Sequence, residues 1–118
     1  MCLLVVAIGV SERWPLVLAS NRDEHRARAT LPLARWTSDQ GATVISGRDL
    51  LAGGTWLGCT PEGRVAMLTN VRHAQAERGR RSRGELVARW LQGTLDAEAL
   101  CAAIDPAAYA GFNLVVGD

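Results

Sequence analysis

The chain has 118 residues, which is enough for one domain and too few for two. Its composition, 48% apolar and 21% charged, is ordinary for a soluble globular protein. The formal net charge of +1 favours neither nucleic acid nor a membrane surface as a partner. We therefore interpret residues 1–118 as a single domain with no nucleic-acid partner.

The cysteines and the N-terminal apolar run indicate the cellular compartment in which the chain would function. Cys2, Cys59 and Cys101 are odd in number and lack Cys-x-x-Cys spacing, so we expect neither a disulfide framework nor a structural zinc site. Cys59 and Cys101 lie in apolar patterns typical of core residues. The apolar run after Cys2 is too short to span a membrane and lacks the flanks of a signal peptide. These features predict a cytoplasmic protein.

Two apolar runs open the chain. Residues 3–10 are rich in β-branched residues and end in glycine, and residues 16–19 form a second run after a polar segment that contains Pro15. The pattern predicts an antiparallel hairpin. Because neither run carries a charge, we expect strands that are covered on both faces.

Cys2 stands directly before the first run. Its small size favours removal of Met1, which would leave Cys2 as the first residue with a thiol and a free α-amine. An α-amine titrates near ~7.7–8.0 and can act as a base at neutral pH. This arrangement is a known route to an N-terminal nucleophile. The simpler alternative is a small buried residue at the start of a strand.

Six polar residues, from Asn21 to Arg26, follow the second run. A solvated loop is the simpler interpretation of such a run, and a structural ion pair is another. However, an antiparallel hairpin brings the end of its second strand beside the start of its first. We therefore expect Asn21 to Asp23 to lie near Cys2.

The middle of the chain is less regular. Residues 27–43 contain Pro32 and are predicted to be irregular, while residues 43–47 suggest a short strand or a loop edge. Residues 55–70 predict a hairpin that turns at Pro61 and Gly63. Residues 71–83 are rich in arginine, which predicts an exposed loop or, alternatively, a contact with an acidic ligand or nucleic acid.

The C-terminal third predicts two helices and a strand. Ser82 and Glu85 match a capping box, and the helix that follows places Leu86, Val87, Trp90 and Leu91 on one stripe and ends at Gly93. A second helix over residues 97–104 would be capped by Thr94 or Asp96. Residues 111–117 predict a final strand.

The motifs taken together resemble one family. They are Met1-Cys2, Asn21-Arg22-Asp23-Glu24, Gly53-Gly54-Thr55-Trp56-Leu57-Gly58, Leu68-Thr69-Asn70, Ser82-Arg83-Gly84-Glu85-Leu86 and Gly111-Phe112-Asn113-Leu114. This collinear set resembles the NRDE family, also called the transport and Golgi organisation protein 2 family. Its members are usually longer, so we expect this chain to correspond to their N-terminal half.

The resemblance implies an α+β fold of the N-terminal-nucleophile (Ntn) hydrolase type, with helices flanking two antiparallel sheets and here an incomplete αββα sandwich. It extends to the Ntn amidases that include penicillin V acylase and bile salt hydrolase. By this resemblance Cys2 is the nucleophile, Asp23 holds its amine and Asn70 helps to form the oxyanion hole. Those amidases carry an arginine near the thiol at a position where this chain has Ser20, and Arg22 is the nearest arginine. Asn21 and Trp56 are the expected substrate-binding residues.

Three functions remain open at this point. The first is an amidohydrolase that cleaves C–N bonds of a small amide without a metal or other cofactor. The second is a carrier of haem or another hydrophobic ligand, for which His25 and His73 are candidate axial ligands, although both lie in polar stretches typical of solvated loops. The third is an inactive half-domain that forms a homodimer through exposed sheet edges. Trp56 and Trp90 are expected in the core, and Trp14 and Trp36 at the surface.

Overall fold

The computed structural model describes residues 2–71 and 79–118. The strands are β1 (Leu4–Ile8), β2 (Leu16–Ser20), β3 (Thr30–Thr37), β4 (Thr43–Asp49), β5 (Leu57–Cys59), β6 (Val65–Asn70) and β7 (Phe112–Gly117). The helices are α1 (Gly84–Gln92), α2 (Ala97–Ala102) and a short 3-10 helix (Pro106–Ala108). Met1, Arg72, His73 and Arg78, which bear on the sequence-based expectations, lie outside the described residues.

The strands form two antiparallel sheets. β1 and β2 pair with each other, and the other five strands form a sheet in the order β3-β4-β5-β6-β7. Each strand of this larger sheet pairs with its neighbour along the chain, so every connection within it runs between adjacent strands. The fold class is therefore α+β, as expected.

The core lies between α1 and the five-stranded sheet. The predicted stripe of α1 is buried, and Leu86 and Val87 are fully inaccessible to solvent. It packs with Val44 of β4, Ala66 and Leu68 of β6, and Leu100 of α2. This burial of apolar side chains fixes α1 across the sheet and thereby fixes the position of its N-terminus.

The N-terminal hairpin has the predicted pairing but not the predicted burial. Leu4 stands opposite Ser20 and Ile8 opposite Leu16. Instead of being covered on both faces, the hairpin exposes Val5 and Val17 on one face and Ile8 and Leu16 on the other. An apolar, charge-free run tolerates burial but does not supply the layer that covers it, and the described residues leave much of this hairpin uncovered.

β3 corrects the prediction of an irregular segment over residues 27–43. Thr30–Thr37 pairs with β4, and the register shifts between Leu31 and Ala34, around Pro32. Proline lacks the N–H that a central strand needs, but an edge strand with an irregular register tolerates it. β3 is an edge strand of its sheet, so Pro32 does not exclude a strand here. The suggested strand at residues 43–47 is present as β4.

The capping box at the start of α1 is absent. Arg83 occupies the N-cap position and no side chain caps the helix. The Glu85 carboxylate instead accepts a hydrogen bond from the Tyr109 hydroxyl and pairs with Arg81 at 2.6 Å. For α2 the prediction holds, because the Asp96 carboxylate accepts the Ala99 N–H at 2.7 Å.

Two close backbone contacts dock the N-terminus of α1 against the loop that precedes β5. A Cβ atom on Gly54 would lie 2.5 Å from the Gly84 carbonyl carbon, and a Cβ on Gly84 would lie 2.9 Å from the Thr55 oxygen. The Thr55 N–H donates to the Gly84 oxygen at 3.2 Å. Only glycine permits this approach at these two positions.

The structure confirms some of the predictions for the tryptophans and corrects one. Trp90 is buried and Trp14 is exposed, as expected, and Trp56 is half-buried. Trp36 is not a surface residue: it packs against the core cluster, and its indole N–H donates to the Ser46 hydroxyl at 3.1 Å.

All three cysteines are free thiols. Cys59 is half-buried, but Cys101 is exposed, which corrects its assignment to the core. Its apolar neighbours on α2 did not decide which face of that short helix it occupies. Separately, none of the helices within residues 2–71 and 79–118 is long and apolar enough to cross a membrane.

Candidate functional site

The site forms where strand ends converge on one edge. In antiparallel sheets the starts of some strands meet the ends of their neighbours. Cys2 precedes β1, the segment 21–28 follows β2, Asp49 ends β4 and Asn70 ends β6. Together with the N-terminus of α1, these segments line a cleft of about 540 Å³, a volume suited to a small organic ligand.

All six residues singled out from the sequence line this cleft. They are Cys2, Asn21, Arg22, Asp23, Trp56 and Asn70. The structure therefore brings together residues from the start of the chain, the loop after β2, the entry to β5 and the end of β6. His25 also lines the cleft and is exposed.

Cys2 is half-buried at the cleft wall and is tied to the loop after β2. Its Sγ atom lies 4.0 Å from the main-chain oxygen of Asp23. Next to it, the Leu3 N–H donates to the Asn21 Oδ1 at 2.6 Å, and the Asn21 N–H donates to the Leu3 oxygen at 3.3 Å. The Asn21 side chain thus extends the β1–β2 pairing by one residue and holds Asp23 beside the thiol.

Arg22 packs against an aromatic ring within the cleft. Its guanidinium carbon lies 4.7 Å from the centroid of the Trp56 ring, which is a cation–π contact. This contact explains why Trp56 is only half-buried: one face of its ring serves the cleft. It also fixes the direction in which Arg22 points.

A half-buried ion pair anchors the loop after β2 to the sheet. The Arg28 guanidinium contacts both oxygens of Asp49, with Nη2 at 2.5 Å from Oδ2. Burial by itself would raise the pKa of Asp49, but the Arg28 hydrogen bonds and the Leu51 N–H outweigh it and lower that pKa below its ordinary value. Glu24 lies 3.8 Å from Arg28 and accepts the N–H of His25.

Arg83 is a second arginine in the wall of the cleft. It is half-buried, and its Nη1 donates to the Gly111 oxygen at 2.9 Å. Burial lowers the pKa of Arg83 below its ordinary value, while attraction to Glu24 and to an ionised Cys2 opposes that change. The expected partner of the thiol was Arg22, so Arg83 is an addition from the structure.

Sequence reasoning missed three of these residues. Arg28 and Asp49 lie 21 positions apart, and no local pattern pairs them. The sequence pattern predicts that Arg83 belongs to a capping box and to an exposed arginine-rich loop, but Arg83 is half-buried. Arg80 and Arg81 in the same segment are exposed, as predicted. The one available signal was topological, because Asp49 ends a strand at the edge where Asn70 also lies.

The cleft is strongly charged, and its donor atoms are not arranged for a metal. In the described ranges, 2–71 and 79–118, no group of three or more His, Cys, Asp or Glu side chains could hold a metal ion. The lining instead offers guanidinium groups, carboxylates, the Asn70 amide and one thiol.

Comparisons with known proteins agree on one family. The family model described as Transport and Golgi organisation 2 matches residues 1–118. The Transport and Golgi organization protein 2 homolog of Bos taurus is 38% identical over 110 residues, and that of Homo sapiens is 36% identical over 112 residues. The Mus musculus homolog is 34% identical over 110 residues. Each match covers 89% of this chain and 39% of the relative.

Proposed function

The chain belongs to the Transport and Golgi organisation 2 family, and from that premise we propose that it is an N-terminal-cysteine amidohydrolase acting on small amides. The observation that carries the proposal is the position of Cys2, whose Sγ lies 4.0 Å from Asp23 O in the wall of a cleft that also contains Asn70. Because the chain spans only 39% of the length of its relatives, the activity belongs to the proposal and not to the family assignment.

The proposed reaction begins after removal of Met1. The α-amine of Cys2 takes the thiol proton, and Sγ attacks the carbonyl carbon of the amide. The Asn70 amide donates a hydrogen bond to the oxyanion of the tetrahedral intermediate. The C–N bond then breaks, and the ammonium group of Cys2 returns its proton to the leaving amine. Water hydrolyses the resulting thioester and regenerates the thiol.

The electrostatics of the cleft support this assignment. Arg83 is half-buried and lines the same cleft as Cys2, where it adds positive charge. Asp23 is held beside Cys2 by the loop after β2 and is the candidate to orient the α-amine. Arg22 contributes positive charge from its position over Trp56.

The fold proposed here is that of an N-terminal-nucleophile hydrolase, with residues 1–118 as one unit of it. An antiparallel sheet with α1 packed on one face supports this assignment, as does a cysteine at the start of the first strand. A reducing compartment such as the cytoplasm suits the reaction, because the thiol of Cys2 must stay reduced.

Hydrolysis of a panel of acyl amides tests the proposal. We expect the chain to release amine from at least one class of amide, and we expect Cys2→Ala to abolish that release. The matched control is Cys101→Ala, which removes an exposed free thiol on α2 and should leave the rate unchanged. A Cys2→Ala protein that retains the parent rate would contradict the proposal.

The carrier hypothesis finds less support in the cleft. A hydrophobic ligand requires an apolar lining. Here the lining holds five arginines and three carboxylates, and Trp56 and Leu68 are its large apolar side chains. We therefore rank transport of haem or of another hydrophobic ligand below amide hydrolysis.

Self-association is a second candidate property, and one observation favours it. The β1–β2 hairpin exposes apolar side chains on both of its faces, and unpaired strand edges tend to associate. A second copy of the chain would cover this hairpin with like apolar surface. The oligomeric state in solution tests this idea.

A further inference from the structure

Asp49 is a buried acidic residue that the proposed reaction does not use. It ends β4, it lines the cleft, and it is only 7% exposed to solvent. A buried carboxylate is costly unless cations or hydrogen-bond donors surround it. The partners of Asp49 therefore indicate what its burial serves.

The side chain of Asp49 holds the end of the loop after β2. Nε of Arg28 donates to the two carboxylate oxygens at 3.2 and 3.1 Å, and Nη2 donates to Oδ2 at 2.5 Å. The Leu50 N–H adds a main-chain hydrogen bond to the Ala29 oxygen at 3.0 Å. A pair between a planar guanidinium and a carboxylate fixes direction as well as distance. Residues 28 and 29 are thereby fixed to the end of β4.

Asp49 also holds the segment that leads to β5. Its Oδ1 accepts the Leu51 N–H at 3.1 Å. Its main-chain N–H donates to the Gly54 oxygen at 2.8 Å, and its main-chain oxygen accepts the Gly53 N–H at 2.9 Å. These bonds set the path of the chain from β4 towards Trp56, which lines the cleft. One residue thus joins two segments of the cleft wall.

The contacts continue from Arg28 to the thiol. Nη1 of Arg28 lies 3.8 Å from Oε2 of Glu24. Glu24 follows Asp23, whose main-chain oxygen lies 4.0 Å from the Sγ atom of Cys2. Cys2 precedes β1 of the two-stranded sheet, and Asp49 ends β4 of the five-stranded sheet. This series of contacts therefore runs from one sheet to the other.

We propose that Asp49 is a positioning residue for Cys2, because through Arg28 it holds Asp23 against the thiol. The inference rests on the proposed function, since it assigns a support to the residue proposed as the nucleophile. Without the ion pair, the loop after β2 keeps the hydrogen bonds of Asn21 to β1 but loses its attachment to β4. The segment between these two points then opens more often, and Asp23 leaves the thiol.

Alkylation of the three free thiols by iodoacetamide, read from the mass of each peptide, tests this inference. Cys101 is exposed and serves as the reference, and Cys59 is half-buried in β5 and reports opening of the larger sheet. We expect Asp49→Asn to speed the alkylation of Cys2 about 10-fold or more, because the loss of charge-assisted hydrogen bonds makes local opening more frequent. The rates of Cys59 and Cys101 should change far less.

Further variants assign the effect to the ion pair. Arg28→Gln should speed the alkylation of Cys2 to the same extent, and the double variant should go no further, because both substitutions break one pair. The matched control is Ile104→Ala, which loosens the core away from the cleft lining and should change the rates of Cys2 and Cys59 by the same factor. If Asp49→Asn fails to fold, Arg28→Lys carries the same test, since it keeps the charge and loses the planar fork.

Unchanged alkylation of Cys2 in the folded variants of Asp49 and Arg28 would overturn the inference, and so would equal acceleration of Cys2 and Cys59. These outcomes do not depend on turnover. Faster alkylation of Cys2 in Asp49→Asn, with no amide hydrolysis by the parent chain, would retain the positioning role and remove the enzyme.

A parent chain that hydrolyses an amide adds a second measurement. Asp49→Asn should then lower kcat about 10-fold or more with little change in KM, because the thiol is misplaced while the rest of the cleft still binds substrate. An unchanged kcat together with unchanged alkylation of Cys2 would retain the enzyme and remove the positioning role.

Discussion

Arg83 and Cys2 lie far apart in the sequence, yet the fold brings both to the wall of one cleft. Each reaches this position for a different reason. Cys2 is held by hydrogen bonds between Leu3 and Asn21, whereas Arg83 is carried by the buried stripe of α1 and fixed to Gly111. The lining of the cleft therefore depends on packing far from Cys2.

Asn70 carries the first prediction at this scale. If its amide stabilises the oxyanion, Asn70→Ala should lower kcat by about 10²–10³ and leave KM nearly unchanged. Asn113→Ala is the control, because Asn113 pairs with Thr69 on the neighbouring strand and is exposed. Steady-state kinetics on a hydrolysed amide provide the measurement. A loss confined to KM would assign Asn70 to substrate binding instead.

Asp49 carries a prediction on stability. Because its pKa is lowered in the folded chain, its ionised form stabilises the fold above the ordinary value of 3.8, and that contribution is lost as the pH falls through the folded pKa. Asp49→Asn should cost about 2–3 kcal/mol at pH 7, since it removes charge-assisted hydrogen bonds from Arg28.

Urea unfolding at pH 7 and again below the ordinary pKa of Asp49 checks this expectation. The difference between Asp49→Asn and the parent chain should shrink at the lower pH, because protonation breaks the same pair. Asp39→Asn, at an exposed loop position, should change little at either pH. A difference that stays constant with pH would show that the ion pair does not set the stability.

At the scale of secondary-structure elements, one close backbone contact requires glycine at two positions. Gly54 precedes β5 and Gly84 opens α1, and their backbones lie too close for a side chain at either position. The Thr55–Gly84 hydrogen bond joins the same two segments. This contact holds the start of α1, and therefore Arg83, in the wall of the cleft.

Gly54→Ala tests this contact. The added methyl group would lie 2.5 Å from a main-chain atom of Gly84, so we expect a loss of about 1–3 kcal/mol in the free energy of unfolding and a fall in activity as Arg83 moves. The control is Gly117→Ala, whose methyl group would meet Val65 at an ordinary 3.4 Å. Equal stability of the two variants would contradict the account.

Some of the strands and helices could be predicted from the sequence and others could not. The first hairpin, the turn at Gly63 and the stripe of α1 were predictable, because each depends on residues that are neighbours in the chain. β3 was not predictable, because Pro32 argues against a strand unless that strand is known to lie at the edge of its sheet. The predicted capping box of α1 is absent for a similar reason. The Glu85 carboxylate accepts a hydrogen bond from Tyr109, which comes from a distant segment.

The predictions for the site divide in the same way, into those that depend on local geometry and those that depend on distant contacts. The proximity of Asp23 to Cys2 follows from hairpin geometry alone, and the structure confirms it. The roles of Arg28, Asp49 and Arg83 depend on how the sheet edge and α1 come together, and no spacing in the sequence records that arrangement. The predicted burial of Cys101 and of the first hairpin was wrong for the same reason, because burial depends on what packs against a residue.

For the molecule as a whole, the exposed hairpin has the clearest consequence. Ile8 and Leu16 stand opposite each other on one face, and Ile8 is 74% exposed. If a second copy covers this face, the double variant Ile8→Thr, Leu16→Thr should shift the chain towards monomer in sedimentation velocity. Threonine retains a preference for strands, so the hairpin itself should persist.

Leu51→Thr is the control for this experiment, because Leu51 is equally apolar, is 76% exposed and lies outside the hairpin. It should leave the oligomeric state unchanged. A parent chain that sediments as a monomer at every concentration would contradict self-association and leave the proposed hydrolase unaffected.

The most direct test of the central claim is the mass of the N-terminal peptide after incubation with reactive amides and esters. The account predicts a peptide that begins at Cys2 and carries an acyl group on that residue, with no acyl group on the exposed Cys101. A peptide that retains Met1, or acylation of Cys101 in place of Cys2, would contradict it.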